Sequence, residues 1–299
     1  MKLRVITRIK GGLGNQLFCY AAARRLSIVN NAELVIDDVT GFVRDHLYHR
    51  CYMLDRFNIQ ARKATKAERL EPFERFRRAL AKWHSRKQPF EQRRYIEQDG
   101  IDFDERILCI KVEETLYLDG LLQSEGYFKD VQDVIREDLR IIPPTDSENQ
   151  RMAEKIRNNP AVAIHVRWFD RPGGPDSATH NAAADYYQRA IALMDEKIDS
   201  PRYFLFSDDP LAARAKLALP NGRATFVSHN RGDEKAYADL WLMTQCRHFI
   251  TANSTFSWWG AWLGGENEKI VMTPMVVQNK IETTNWGFKG LIPDVWMKI

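Results

Sequence analysis

Short apolar runs and helical stripes alternate along the first part of the chain. Residues 3–9 are rich in β-branched side chains and end at Gly11-Gly12, which predicts a strand followed by a tight turn. Apolar side chains at helical spacing predict a helix from about Asn15, and residues 33–37 predict a second buried strand. A strand, a helix and a strand in this order predict a parallel βαβ unit.

Four further apolar runs lie in the second half of the chain, and the residues that follow them are compatible with helices. Their apolarity is continuous rather than alternating, which is typical of strands covered on both faces of a parallel sheet. The chain is therefore predicted to have an α/β fold. Each run ends in polar residues, and we expect these ends to line one crevice, because ligands of open α/β sheets bind outside the carboxyl ends of the strands. The runs are residues 162–167, 202–207, 223–228 and 248–253.

The strongest break in composition lies at Pro143-Pro144 and the polar residues that follow. A length of 299 residues suits either two domains or one large α/β domain. We therefore predict a boundary between residues 143 and 160, which divides the chain into domains 1–150 and 151–299.

The end of the run 162–167 suits an anionic ligand. His165 and Arg167 are two residues apart on a predicted strand, so their side chains point to the same face. The planar guanidinium of Arg167 can bind two oxygens of a diphosphate, and His165 can bond the same group. Asp170 is expected to orient Arg167. The alternative is an Arg–Asp ion pair in a loop.

The end of the run 202–207 has two interpretations. Asp208 and Asp209 are paired carboxylates, which can hold Mg²⁺ against a phosphate. Pro210 favours the first position of a helix, however, and makes Asp209 the natural N-cap. Ser207 and Asp208 are then left for a ligand hydroxyl or a nucleobase edge, and no metal is expected.

Residues 250–265 predict a helix with an anion site at its start. Ser254 or Thr255 caps this helix and Gly264 ends it. The unsatisfied N–H groups and the positive end of the helix dipole then face the crevice. Three tryptophans of this helix are expected in the core: Trp258, Trp259 and Trp262.

The glycine-containing stretch 10–18 matches neither nucleotide-binding fingerprint. It lacks the Lys-Ser or Lys-Thr of a P-loop, and Leu17 stands at the third glycine of a dinucleotide motif. Glycines still let the backbone approach a ligand, and amide side chains at a helix start can bond an anion or a sugar. A tight turn with an Asn N-cap is the alternative. The candidate ligand residues are Gly12, Gly14, Asn15 and Gln16.

The basic charge of the chain is concentrated in one segment. The net charge is +4, whereas residues 62–94 contain twelve Lys or Arg against four Glu, a local net of +8. Apolar residues at three- and four-residue spacing predict an amphipathic helix with a cationic polar face. This face is either solvated, attracted to an anionic membrane or bound to nucleic acid, although no nucleic-acid-reading module is recognised elsewhere and no nucleic acid is expected. The apolar residues are Leu70, Phe73, Phe76, Leu80 and Trp83.

The remaining composition excludes several classes of protein. Hydrophobic residues form 44% and charged residues 28% of the chain, which excludes a disordered, collagen-like or coiled-coil protein. No apolar run reaches membrane-spanning length and the first residues lack a signal-peptide pattern, so we expect a cytoplasmic protein. The four cysteines lie far apart within apolar segments, as expected of reduced core thiols.

Seven motifs, taken in order, resemble those of the bacterial α-1,2-fucosyltransferases. Their order and spacing make the resemblance specific, and it covers the whole chain. It implies a GT-B architecture, in which two Rossmann-like domains face across a cleft and the C-terminal one holds most of the donor. The motifs are GGLGNQLF, QSEGYF, HVR with Asp170, THN with YY, FSDD, DLWLM and ANSTFSWWGAWL.

The resemblance also implies a reaction and its partners. L-fucose would move, with inversion and without a metal or other cofactor, from GDP-β-L-fucose to the 2-hydroxyl of a galactoside. The product would be a surface polysaccharide or oligosaccharide. The implied partners are GDP-L-fucose and a galactose-containing glycan, and peripheral contact with the anionic inner membrane through residues 62–94 is a further expectation.

Site residues are implied by the same resemblance. Arg167 matches the arginine that holds the donor β-phosphate, and His165 and Asp170 complete its motif. Asn15 and Gln16 match a loop that closes on the donor. A general base must remove the acceptor proton. Its candidates are Asp176, His180 and Glu125, and the positions that match the surroundings of the guanosine and phosphates are Asp208, Asn253, Ser254, Thr255 and Ser257.

The chain departs from the family pattern HxRRGD, because Trp168-Phe169 replace an arginine and a glycine. This changes the charge expected around the phosphate but not the assignment of Arg167. Two other functions remain open. One is a transferase of the same architecture that uses another nucleotide sugar, and the other is a non-catalytic protein that binds a nucleotide or an anionic surface.

Overall fold

The computed structural model describes residues 2–168, 181–217, 219, 222–265, 268–275 and 286–299. The chain forms two compact units, each built on one parallel sheet. The predicted α/β class is confirmed. The first unit is Met1–Ile142 with Lys289–Leu291, and the second is Pro143–Phe288 with Ile292–Ile299.

The units divide between Ile142 and Pro143, at the start of the range 143–160 in which the boundary was predicted and before the division at residue 150. The side chain of Asp146 accepts a hydrogen bond from the backbone N–H of Asn149 and caps the helix Ser147–Arg157. This helix belongs to the second unit, so a boundary at residue 150 would cut through it.

The first unit contains five strands and three α-helices among the described residues. The strands are β1 (Arg4–Arg8), β2 (Glu33–Asp37), β3 (Arg62–Lys63), β4 (Tyr95–Glu97) and β5 (Thr115–Asp119). The helices are α1 (Leu13–Val29), α2 (Glu74–Arg86) and α3 (Gln132–Asp138). The strand order is β3-β2-β1-β5-β4, and every pairing is parallel.

The second unit contains six strands and five α-helices among the described residues. The strands are β6 (Ala161–Val166), β7 (Arg202–Ser207), β8 (Ala224–Val227), β9 (His248–Ile250), β10 (Val271–Thr273) and β11 (Met297–Lys298). The helices are α4 (Ser147–Arg157), α5 (Ala184–Lys197), α6 (Pro210–Lys216), α7 (Ala236–Thr244) and α8 (Thr255–Leu263). The strand order is β11-β10-β9-β6-β7-β8, again with parallel pairings.

Short 3-10 turns complete the described elements. They lie at Leu54–Arg56, Phe90–Gln92, Glu105–Cys109, Glu125–Tyr127, Lys129–Val131 and Asp233–Lys235.

The four apolar runs of the second half form strands of one sheet, as predicted. All six residues of β6 are buried, because this strand lies between β9 and β7 in the middle of the sheet. Burial on both faces removes the usual alternation of polar and apolar positions, which explains why the run is continuously apolar.

The tryptophans of α8 are buried, as predicted. Trp258 and Trp259 are fully inaccessible to solvent. The ring of Trp258 stacks on Trp262 at a centroid distance of 6.2 Å and contacts Trp296 at 5.5 Å. Large apolar side chains stabilise a fold by roughly 1.5–3 kcal/mol each when buried, so this cluster anchors α8 in the second unit.

Helix α2 is oriented opposite to the usual amphipathic arrangement. Phe73, Phe76 and Trp83 are exposed, whereas Arg78 is buried. Nη1 of Arg78 lies 3.6 Å from Oδ2 of Asp37 and donates a hydrogen bond to the Thr40 hydroxyl at 2.8 Å. Arg78 and Lys82 therefore face the sheet, whereas Arg75 and Arg77 are exposed, so the predicted cationic face is solvated only in part.

The sheet itself explains this orientation. Asp37, Glu97 and Asp119 end the strands β2, β4 and β5, and Lys82 of α2 forms ion pairs with Glu97 and Asp119. Asp119 is also paired with Arg8 and Lys10, whereas the buried Asp37 is paired with Arg78 of α2. Turning the helix over would separate Asp37 from Arg78, and an unpaired buried charge costs several kcal/mol.

Two of the four cysteines differ from the expectation of core thiols. Cys19 and Cys246 are buried, whereas Cys51 and Cys109 are exposed. Burial raises the pKa of Cys19 to about 11, so this thiol stays protonated and unreactive near neutral pH. None of the helices in the described ranges is long and apolar enough to cross a membrane.

Candidate functional site

Arg167 and Asp208 meet at the carboxyl ends of two adjacent strands, β6 and β7. Nη1 of Arg167 lies 2.8 Å from Oδ2 of Asp208, and Oδ1 of Asp208 accepts a hydrogen bond from the backbone N–H of Trp168 at 3.1 Å. Both carboxylate oxygens are therefore engaged within the protein, and the predicted contact of Asp208 with a ligand remains a prediction. Burial raises the pKa of Asp208, and the charge of Arg167 opposes this shift.

His165 lies two residues before Arg167 and is 5% exposed. Burial, and secondarily the charge of Arg167, lowers the pKa of His165 to about 3. The imidazole is therefore neutral near pH 7 and contributes no positive charge. Its ring contacts Phe256 at a centroid distance of 5.4 Å, and Nδ1 has no hydrogen-bond partner among the described residues. The predicted bond from His165 to a diphosphate remains a prediction.

Asp209 caps α6, as predicted. Its Oδ1 accepts a hydrogen bond from the backbone N–H of Ala212 at 2.9 Å, and Pro210 occupies the first turn. The hydroxyl of Ser207 accepts a bond from the backbone N–H of Asp209 at 3.1 Å. Across the described part of the chain, no group of three His, Cys, Asp or Glu side chains is arranged to hold a metal ion.

Helix α8 begins where β9 ends, next to β6 in the sheet. The Ser254 side chain caps the helix by accepting a bond from the backbone N–H of Phe256, and Gly264 follows its last residue, both as predicted. The predicted ligand role of Ser257 is not supported, since its buried hydroxyl already bonds the backbone of Ala252 and Ser254. Asn253 is also buried and accepts a bond from the N–H of Ala182.

The contact between His165 and Phe256 joins the end of β6 to the first turn of α8. At the carboxyl edge of the second sheet, Arg167 therefore pairs with Asp208 and His165 contacts the first turn of α8. That all four strand ends line one crevice remains a prediction. Asp170, Asp176 and His180 lie outside the described residues.

Lys216 lies near Trp168, one of the two residues that replace the Arg-Gly of the family pattern. Sequence patterns did not indicate this cation. Its Nζ lies 4.7 Å from the centroid of the Trp168 ring and donates a bond to the backbone oxygen of Ala182 at 2.7 Å. Burial lowers the pKa of Lys216. The lysine is 48 positions away in the chain from Trp168, so no local pattern indicates it.

In the first unit, the glycine loop connects β1 to α1. Gly11 has a φ of 77°, and a side chain here would clash with Asn15 at 2.8 Å. The helix begins at Leu13 with Gly12 as its N-cap, so Asn15 is not the cap, and Gly14 is buried within the first turn. Glycine is required at position 11 because other residues rarely adopt this backbone conformation.

Gln16 has a structural role, which differs from the predicted contact with the donor. The side chain is fully buried and its amide donates to the backbone oxygens of Gly11 and Cys51 at 2.9 and 2.8 Å. Its Oε1 accepts a bond from the backbone N–H of Met53 at 2.9 Å. Gln16 therefore ties the segment around residue 52 to the glycine loop.

Gln123, the first residue of the QSEGYF motif, contacts the glycine-loop residue Asn15, and sequence analysis did not identify it as a candidate. Its Nε2 donates to Oδ1 of Asn15 at 2.7 Å, which joins the segment after β5 to the start of α1. Glu125 follows two residues later, and one of its oxygens lies 3.6 Å from Nζ of Lys129. Glu125 belongs to the same motif as Gln123, and its role as a base remains a prediction.

The family model of glycosyl transferase family 11 matches residues 4–288. Among curated proteins, an α-1,2-colitosyltransferase of Escherichia coli is 26% identical over 99% of this chain and 98% of its own length. The O-antigen biosynthesis glycosyltransferase WbnK of Escherichia coli is 29% identical over 89% of this chain and 92% of its own length.

Solved structures support the fold. A mutant of Arabidopsis thaliana FUT1 in complex with GDP has a TM-score of 0.56 at 14% identity, covering 94% of this chain and 71% of that chain. NodZ α-1,6-fucosyltransferase soaked with GDP-fucose has a TM-score of 0.50 at 15% identity, covering 88% and 93%. These likenesses confirm the expected GT-B type of fold. Together with the match over nearly the whole sequence, they lead to one conclusion: the chain belongs to glycosyl transferase family 11.

Proposed function

We propose that the protein transfers L-fucose from GDP-β-L-fucose to the 2-hydroxyl of a galactoside, with inversion at the anomeric carbon. The observation that supports this most directly is the Arg167–Asp208 pair beside the capped start of α8. A cation held at a strand end next to a helix amino terminus suits a diphosphate. Family membership favours a transferase over a non-catalytic binding protein.

The chemistry places its main demand on the leaving group. As the bond between the sugar and GDP breaks, positive charge develops on the sugar ring and negative charge grows on the β-phosphate. Interactions that strengthen with this growing charge lower the barrier, because they stabilise the transition state more than the ground state. A guanidinium has five N–H donors, so Arg167 can hold Asp208 and contact phosphate oxygens at the same time.

Asp208 contributes by orienting Arg167. The contact with Asp208 restricts the rotamers of Arg167, so less conformational entropy is lost when the diphosphate binds. The backbone N–H groups at the start of α8 supply a second set of donors, backed by the helix dipole. Asn253, Ser254 and Thr255 would line this end of the donor site.

The acceptor hydroxyl must also lose its proton. Asp176, His180 and Glu125 are the proposed bases. A carboxylate or imidazole within hydrogen-bond reach of the hydroxyl would take the proton as the new glycosidic bond forms. Buried His165, whose pKa is lowered to about 3, is too weak a base for this step near neutral pH.

Metal independence is part of the proposal. Asp209 caps a helix and Asp208 pairs with Arg167, so both carboxylates already have partners within the protein. The charge of the leaving diphosphate would then be balanced by Arg167 and by helix N–H groups.

A second donor is favoured by a specific observation. The α-1,2-colitosyltransferase of Escherichia coli resembles this chain over nearly its full length, and its name gives colitose, not fucose, as the transferred sugar. Colitose transfer from a nucleotide-activated donor is therefore the second candidate function. We place the reaction in the cytoplasm, at the inner face of the membrane where a glycan acceptor would be assembled.

The experiment is a donor and acceptor matrix. The purified chain is incubated with GDP-L-fucose, GDP-colitose and a UDP-sugar, each with a β-galactoside and with a β-glucoside as matched control. Products are identified by mass and the new linkage by NMR. An α-1,2-fucosyl galactoside supports the proposal. Exclusive use of GDP-colitose supports the second candidate, and turnover of neither contradicts both.

A further inference from the structure

An apolar stripe lies on the outward side of α2, and we name it by its four residues: Phe73, Phe76, Leu80 and Trp83. These side chains are 77%, 70%, 44% and 54% exposed. Phe76, Leu80 and Trp83 are four and three residues apart and lie along one face of the helix, and Phe73 is the N-cap residue at its start. Single exposed apolar residues are ordinary, but four aromatic or aliphatic side chains in one line form a surface that needs a partner.

The opposite face of α2 holds the helix in this orientation. Arg78 pairs with Asp37, and Lys82 pairs with Glu97 and Asp119. The hydroxyl of Ser85 accepts a bond from the backbone N–H of Tyr95 at 2.9 Å. Turning the apolar stripe inward would break these contacts and separate the buried carboxylate of Asp37 from Arg78, so the stripe faces outward in the folded unit.

Cations flank the apolar stripe. Arg75, Arg77 and Lys87 are exposed, and Nζ of Lys87 lies 3.1 Å from the ring centroid of Trp83. The helix contains one acid, Glu74, whose Oε1 lies 4.0 Å from Arg78 on the other side. The surface that the stripe presents is therefore apolar along its centre and positive along its edges.

We propose that this stripe docks on the surface of an anionic phospholipid bilayer. Phenylalanine, leucine and tryptophan enter the boundary between headgroups and acyl chains, while arginine and lysine remain at the level of the lipid phosphates. A helix of 13 residues is roughly 20 Å long and would lie in the plane of the membrane. The inference goes beyond the transfer reaction and holds for any donor.

A second copy of the chain fits this surface less well. Two stripes in contact would bring the Arg75, Arg77 and Lys87 edges of both copies together, and like charges in a desolvated contact repel. Lipid phosphates complement the same edges.

The structure also changes which residues perform the docking. Of the basic residues of the segment 62–94, Arg62, Arg69, Arg78 and Lys82 already form ion pairs within the protein. The local net charge of +8 therefore overstates the attraction, and the apolar residues must supply part of the binding. Contacts made by buried apolar groups are not screened by salt, so binding should fall with rising salt but not vanish.

The test measures co-sedimentation of the full chain with vesicles of phosphatidylcholine alone or mixed with phosphatidylglycerol. One variant combines Phe76→Ser, Leu80→Ser and Trp83→Ser. The matched control combines Leu47→Ser, Ile101→Ser and Val295→Ser, which are also exposed apolar residues. We expect the wild type and the control to bind the anionic vesicles. We expect the stripe variant to lose about tenfold or more in partition coefficient.

A spectroscopic readout locates the contact on the helix. The emission of the wild type minus that of Trp83→Phe reports Trp83 alone, and it should shift to shorter wavelength on adding anionic vesicles. Circular dichroism confirms that each variant is folded.

Three outcomes would overturn the inference. They are wild-type protein that stays in the supernatant with anionic vesicles, a stripe variant that binds as the wild type does, and stripe-dependent dimers in sedimentation velocity, which would assign the surface to a second copy. None of these measurements requires transferase activity, so they are independent of the proposed reaction.

Discussion

Nη1 of Arg167 lies 2.8 Å from Oδ2 of Asp208, so two residues from the ends of adjacent strands hold each other at the carboxyl edge of the second sheet. The pair connects β6 to β7 across 41 positions of sequence. It gives the proposed phosphate-binding cation a fixed position before any donor arrives.

Replacing Arg167 with lysine should abolish most transfer while the protein stays folded. A lysine ammonium is a point charge and cannot contact a carboxylate and two phosphate oxygens in one plane. We expect kcat/KM for the donor to fall by about 100-fold. Arg189→Lys is the matched control, because Arg189 also pairs with an aspartate but on the exposed side of α5. Turnover by Arg167→Lys within a few-fold of the wild type would remove the phosphate assignment.

Transfer should continue in excess EDTA. Asp209 caps α6 and Asp208 pairs with Arg167, so the leaving diphosphate is neutralised by protein groups. The measurement is the initial rate with EDTA and with added Mg²⁺ or Mn²⁺. Activity that disappears with EDTA and returns with either ion would show that a metal takes part.

Gln16→Ala should destabilise the first unit rather than only weaken donor binding. Removing this fully buried amide leaves the part-buried backbone oxygens of Gly11 and Cys51 and the N–H of Met53 without their partner. Losing a hydrogen-bonded group of this kind costs roughly 1–3 kcal/mol, so we expect a loss of about 2 kcal/mol in the free energy of unfolding. Exposed Gln92→Ala is the control. An unchanged urea midpoint together with weaker donor binding would restore the ligand role.

Arg78→Ala and Arg75→Ala should differ strongly, although both are arginines of the same helix. Arg78 is buried beside Asp37 and Thr40, whereas Arg75 is exposed. Removing Arg78 leaves the buried carboxylate of Asp37 without its cation, so we expect Arg78→Ala to lower the free energy of unfolding by about 3 kcal/mol. Arg75→Ala should lower it by less than about 0.5 kcal/mol. Equal urea midpoints for the two variants would contradict the inward orientation of Arg78.

Asp239 should make stability fall as the pH rises from about 4 to about 7. Burial raises its pKa to about 7, and the hydrogen bond from Asn230 at 2.8 Å opposes this only in part. The folded chain therefore holds a proton that the unfolded chain releases at lower pH, so this contribution is complete at low pH and is lost as the pH passes the folded pKa.

The check on Asp239 is a difference measurement. The free energy of unfolding of the wild type minus that of Asp239→Asn should decline between pH 4 and pH 7 and then level off, because the asparagine does not titrate. A difference that stays constant over this range would show that the carboxyl group has an ordinary pKa.

Local interactions were read correctly from the sequence. The strand at residues 202–207, the Asp209 cap of α6 and the Ser254 cap of α8 all depend on residues within a few positions of one another. Backbone geometry fixes these contacts once the helix or strand forms, so residues that are close in sequence are enough to predict them. The parallel α/β architecture follows from the same runs.

Tertiary structure alone decided which side chains meet. The sequence paired Arg167 with Asp170, which lies outside the described residues, and did not foresee the ion pair with Asp208 on the neighbouring strand. It placed Gln16 at the ligand, whereas the amide holds a loop from elsewhere in the chain. The amphipathic pattern of α2 identified two faces but not which one is inward. That depends on Asp37, because its buried carboxylate pairs with Arg78 and holds the charged face of the helix against the sheet.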